Sequence, residues 1–98
     1  MDGAALATHT YKYKARILII RMKLKITISG PRVHDVGYRV YLLTAAMNLA
    51  LPGFSALNWT ENGKQQVIAL VEGDGPRIAA FRQLVETKKP ERAEVQDI

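Results

Sequence analysis

Ten consecutive residues of this chain, Gly30-Pro31-Arg32-Val33-His34-Asp35-Val36-Gly37-Tyr38-Arg39, stand between an alternating strand pattern and a helical one. A strand that ends in a glycine-bearing loop and runs into a helix start points several backbone N–H groups, and the positive end of the helix dipole, at one place. An anion can be held there by Val33, His34, Asp35, Val36, Gly37 and Tyr38. Arg39, in the first helical turn, adds a planar guanidinium that can grip two phosphate oxygens at once. The chemistry these residue types suit is phosphate recognition.

Other chemistries find less support. His34 beside Asp35 resembles the start of a metal site, but the only other histidine is His9 and cysteine is absent, too few donors for a ligand set. No metal and no cofactor are expected. The chain has no Walker-type phosphate loop, no Gly-x-Ser-x-Gly and no zinc spacing. The strand patterns lack the aromatic residues of an RNA-recognition sheet, which argues against a nucleic-acid partner.

The elements that must position the loop can be read from periodicity. Residues 23–29 alternate, with Leu24, Ile26 and Ile28 on one face and Lys23, Lys25 and Thr27 on the other, as a half-buried strand does. After the loop, Val36, Val40, Leu43, Met47 and Ala50 step by four, three, four and three, one face of a helix that Pro52-Gly53 ends. Two strand patterns, 54–60 and 65–72, flank Glu61-Asn62-Gly63-Lys64, whose Asn-Gly favours a tight hairpin because both residues accept positive φ. Asp74-Gly75-Pro76 opens a second helix with Ile78, Phe81, Leu84 and Val85 on one face, broken by the polar run 87–91. Ala93-Glu94-Val95 begins a last strand. The order predicts an α+β domain of the ferredoxin-like, split βαβ kind, an antiparallel sheet with two helices on one face. This plan hosts many functions, so it decides none.

The loop is similar to that of the acylphosphatases, Gly-x-Val-Gln-Gly-Val-Gly-Phe/Tyr-Arg, matched here at Val33, Val36, Gly37, Tyr38 and Arg39. His34 stands in the glutamine slot, Asp35 in a glycine slot, and one extra residue separates Gly30 from Val33. The resemblance runs on through Leu51-Pro52-Gly53-Phe54, the hairpin and Val71-Glu72-Gly73, over residues 22–98. It implies the same ferredoxin-like fold and a metal-independent hydrolase of small acyl phosphates, in which the loop and Arg39 hold the phosphate and a strand asparagine orients the attacking water. The family spacing from Gly53 lands on Leu57, with Asn58 one residue later. With regular pairing Leu57 would face the site and Asn58 away from it; a bulge, for which the longer hairpin leaves room, would bring Asn58 round, and Asn58 is the expected water-positioning residue beside Arg39.

Asp35 weighs on the other side. A carboxylate about 5 Å from a bound phosphate would cost roughly 3 kcal/mol per unit charge at an effective dielectric near 20. It could instead pair with Arg32 or Arg39, or point to solvent and be screened. The alternative reading is therefore a catalytically impaired, acylphosphatase-like module that binds an anion or self-associates. The resemblance also makes residues 1–21 an N-terminal extension of a domain at 22–98 whose last strand is truncated. Within the extension Tyr11, Tyr13, Ala15, Ile17 and Ile19 alternate with Lys12, Lys14 and Arg16, so residues 11–20 are expected to add a strand over an open sheet edge, in the same molecule or in a homo-oligomer.

The 98 residues allow one domain with a modest core. Fourteen Lys and Arg against nine Asp and Glu give +5, and the excess lies early: residues 1–41 hold eight basic and two acidic side chains. A small anionic partner, an acyl phosphate or phosphate, suits that field. The apolar run 17–20 is far short of the ~20 residues that span a bilayer. With no cysteine and no signal pattern at Met1-Asp2-Gly3, the expected location is cytoplasmic, away from membranes.

Overall fold

A computed structural model describes residues 21–98. The added strand expected over residues 11–20 lies outside this range. Three strands, β1 (Arg21–Gly30), β2 (Gly53–Glu61) and β3 (Lys64–Asp74), form an antiparallel sheet in the order β1-β3-β2. Helix α1 (Tyr38–Asn48) joins β1 to β2, and α2 (Gly75–Thr87) follows β3. Because β3 lies between β1 and β2, the β1-α1-β2 crossover leaves a slot that the later strand fills, the split βαβ plan that the element order predicts.

The pleat decides which side chains enter the core. Ile26 and Ile28 on β1 and Val67, Ala69 and Val71 on β3 are buried on the helix-covered face, with the half-buried Phe54 and Ala56 of β2 beside them. Helix α2 contributes Ile78, Phe81 and Val85, as its periodicity predicts, and the Phe81 ring packs against Phe54 with centroids 6.4 Å apart. The side chain of Asp74 accepts the N–H of Arg77 at 3.0 Å and so caps α2, with Pro76 in its first turn. The hairpin turn has φ of 52° at Asn62 and 78° at Gly63, the pair of positive values that an Asn-Gly turn provides.

Helix α1 differs from expectation. It starts at Tyr38, two residues after Val36, and buries Tyr38, Leu42, Ala45 and Ala46. Val40, Leu43 and Met47, expected to face the core, are 66%, 42% and 68% exposed. The helix carries apolar residues on two sides, so periodicity alone offers two stripes. The stripe with Ala45 and Ala46 lets the backbone approach the sheet closely, and packing selects it.

Residues 94–97 lie antiparallel to the outer edge of β1, but as two separate bridges, Ser29 with Asp97 and Arg32 with Glu94. The carbonyl of Ser29 accepts the N–H groups of both Gln96 and Asp97, at 2.8 and 3.0 Å, so two residues meet one there, as at a bulge. Pro31, which has no N–H, lies between the bridges. The start of a last strand predicted at Ala93-Glu94-Val95 is therefore an irregular edge segment, with Ala93 buried. It passes so close to Gly30 that a Cβ there would overlap the carbonyl oxygen of Glu94 and lie 2.9 Å from the nitrogen of Gln96. Gly30→Ala is accordingly expected to lower stability by about 1–3 kcal/mol, by forcing this segment off the edge. Urea unfolding with an unchanged m-value would show it as a lower midpoint; an unchanged midpoint would refute the tight approach.

Candidate functional site

Strand β1 delivers the chain to Gly30, and α1 takes it up at Tyr38. Between them the backbone turns left-handed twice, at Asp35 (φ 58°) and at Gly37 (φ 75°), with Val36 between them. Such alternation of hand curls successive N–H groups toward a common concavity. At Gly37, the N-cap of α1, the conformation is natural for glycine. At Asp35 the residue in the glycine slot of the resembled loop carries the strain itself.

The N–H groups divide into two sets. Those of Val33 and His34 donate to one atom, Oε1 of Gln65, at 3.0 and 2.9 Å. Those of Asp35, Val36, Gly37, Tyr38 and Arg39 meet no acceptor among the described residues, and the N–H of Tyr41, which donates to the carbonyl of Gly37 at 2.9 Å, begins the helical ladder. A run of free N–H groups at a helix start is what an oxyanion needs.

A small cavity of about 90 Å³ opens at this point, lined by Val33, Asp35, Gly37, Tyr38, Arg39, Val40 and Asn58. The loop, the arginine and the asparagine singled out in the sequence thus share one wall. Asn58 reaches it without a bulge, because β2 pairs with β3 in unbroken register from Gly53 opposite Glu72 to Glu61 opposite Lys64. The expectation that regular pairing would turn Asn58 away is overturned. Phe54 is anchored against the core, Asn58 is four residues on and so on the same face, and Leu57 projects from the opposite face, 45% exposed. Counting from Gly53 missed this because the strand's phase is set by its core contact.

Two residues expected in the anion-binding set lie outside the cavity wall. Val36 turns its side chain into the core. His34 has its main-chain N–H on Gln65, and its ring Nε2 donates to the carbonyl oxygen of Gln66 at 2.7 Å. Its work is to tie the loop to β3. Tyr38 lines the cavity, but its ring is buried and its hydroxyl has no hydrogen-bond partner among the described residues. Asp35 is exposed and lines the cavity, and it forms no ion pair with Arg32 or Arg39 among the described residues. Val40 on the cavity rim and Gln65 beneath the loop were not foreseen, since neither breaks an apolar period nor matches a motif. Among the described residues no group of three His, Cys, Asp or Glu side chains could hold a metal ion, and no helix is long and apolar enough to cross a membrane. A larger hollow of about 470 Å³ around Lys25, Ser55, Leu70 and Glu72 includes none of the loop.

Comparison with known proteins points the same way. A family model described as acylphosphatase matches residues 24–98. Among solved structures, an acylphosphatase from Coxiella burnetii superposes with a TM-score of 0.58 at 16% identity, covering 79% of this chain and 75% of that one. At that identity the likeness speaks for the fold. No curated protein sequence matches significantly.

Two outcomes follow from the loop's geometry. Replacing Asp35 by glycine removes the left-handed strain, offset in part by the greater freedom of glycine in the unfolded chain, so a gain of about 0.5–1 kcal/mol is expected in denaturant unfolding. Burial, aided by the neighbouring Tyr41, pushes the Tyr38 hydroxyl from 10.0 up to about 12. The folded protein therefore keeps a proton that the unfolded chain gives up, and stability present below pH 10 is lost as pH climbs toward 12, by at most about 2–3 kcal/mol. Tyr38→Phe should flatten that part of the alkaline stability profile and cost little at neutral pH, because the hydroxyl it removes has no partner among the described residues.

Proposed function

Because the chain belongs to the acylphosphatase family, we propose that it hydrolyses the carboxyl–phosphate anhydride of small acyl phosphates without a metal ion. The observation that carries this reading is the shared cavity, in which the loop, Arg39 and Asn58 come together from three elements. The free amides from Asp35 to Arg39 and the guanidinium of Arg39 supply the positive charge that would bind the phosphate oxygens. Asn58 cannot take a proton, but its carbonyl oxygen can accept a hydrogen bond from a water and hold it in line with the phosphorus. The water oxygen forms the new bond to phosphorus, the anhydride P–O bond breaks, and its electron pair leaves on a carboxylate. The products are a carboxylate and inorganic phosphate, and the water's proton passes to phosphate or solvent. A carboxylate is a good leaving group, so the reaction needs positioning and charge stabilisation rather than a nucleophilic side chain or a strong general acid.

One observation favours a second reading, an anion-binding module without turnover: the carboxylate of Asp35 lines the cavity that would hold the phosphate. Its exposure and the lack of an ion pair with Arg39 among the described residues reduce that cost, since solvent screens it and it does not compete for Arg39. Hydrolysis of benzoyl phosphate by the purified full-length protein, in the presence of a chelator, separates the two. Turnover is expected. Arg39→Ala should lower kcat/KM by about 10²-fold or more, with Arg39→Lys between, because the lysine point charge lacks the planar fork. Asn58→Ala should lower kcat while leaving KM nearly unchanged, as loss of water orientation requires. A folded protein with no turnover that still binds phosphate would establish the second reading.

A further inference from the structure

Gln65, at the start of β3, makes contacts that the proposed reaction does not use. Both lone-pair positions of its Oε1 are taken by consecutive loop amides, Val33 at 3.0 Å and His34 at 2.9 Å. One residue further, the main-chain oxygen of Gln66 takes the ring N–H of His34 at 2.7 Å. These bonds link positions 31 and 32 residues apart, so no local turn supplies them. The sheet does: Gln65 sits opposite Gly30 on one side and Thr60 on the other, directly where the loop leaves β1, with its backbone held between two strands.

We propose that Gln65 is a positioning residue for the anion loop, spending its first two amides on a fixed neutral oxygen so that the amides from Asp35 onward form the ligand-binding set. Without that oxygen, two partly buried N–H groups would lack a partner, and the loop would gain by rearranging until they found one. The rearrangement would draw on the same short segment that must hold left-handed geometry at Asp35 and Gly37. Gln65 thereby sets the phosphate affinity of a cavity whose wall it does not join. The affinity part rests on the phosphate-binding reading of the loop; the clamp does not.

The test uses the full-length, isotope-labelled protein, amide hydrogen exchange without ligand, and titration with inorganic phosphate. Gln65→Met keeps the side chain's length and removes the acceptor. Its Val33 and His34 amides should each exchange about two- to tenfold faster, since each loses one hydrogen bond worth roughly that factor. The amides of Val67, Ala69 and Val71 in the same strand should be unaffected, and phosphate should bind about tenfold more weakly. Gln65→Glu restores the acceptor with a charge, so it should restore protection at Val33 and His34 without restoring phosphate affinity. Unchanged exchange at those two amides in Gln65→Met, or loss of protection shared with β3, would overturn the clamp. Faster exchange with unchanged phosphate affinity would overturn its role in anion binding. A wild-type protein that binds no phosphate would instead count against the proposed function, while exchange still decides the clamp.

Discussion

The register of β3 between its two neighbours is the constraint on which the site depends. It places Ile28 of β1 and Asn58 of β2 on either side of Val67, in one row across the helix-covered face, and it sets Gly30 opposite Gln65 at the point where the loop departs. A slip of one residue would turn Ile26 and Ile28 out to solvent and bring Lys25 and Thr27 into the core. Fully burying each such isoleucine is worth roughly 1.5–3 kcal/mol, so the apolar face holds the register and the register holds the polar site. Hydrophobic packing thus sets the address of Asn58, whose own side chain contributes little to the fold.

On that scaffold the loop is built at a local cost. Asp35 occupies a conformation that side chains other than glycine avoid, and five consecutive amides lack protein acceptors among the described residues. Neither feature stabilises the fold. Both belong to a short segment whose alternating hand keeps successive N–H groups from bonding to one another. The surrounding contacts keep it so: Val33 and Val36 are anchored in the core, and the following helix begins at once at Tyr38, with no slack between loop and helix. The result is a small cavity lined by loop residues and one guanidinium, the arrangement on which the proposed reaction rests.

Much of this was legible in the sequence. The alternation of β1, the Asn-Gly hairpin, the capped second helix and their order led to the fold, because each rests on the chemistry of neighbouring residues. The loop and Arg39 were legible for the same reason, since a strand, a glycine-bearing turn and a helix start are local events. The apolar stripe of α1 is not legible in the same way, because Val40, Leu43 and Met47 make as good a period as Tyr38, Leu42, Ala45 and Ala46, and only packing against the sheet distinguishes them. How Asn58 reaches the cavity, in regular pairing and without the bulge expected, was hidden for a related reason: a count from Gly53 carries no information about which strand residue is anchored in the core.

By itself the sequence determined the element order, the turn at Asn62-Gly63 and the presence of one arginine at the loop's end, all set by interactions within a few residues. Tertiary structure alone decided what meets the loop. That Gln65 takes two of its amides, that Asn58 shares its cavity, and that residues 94–97 close over Gly30 are contacts between segments far apart in the chain. Such contacts come into being only when burial of the common core fixes the strands in register, and no local propensity encodes them.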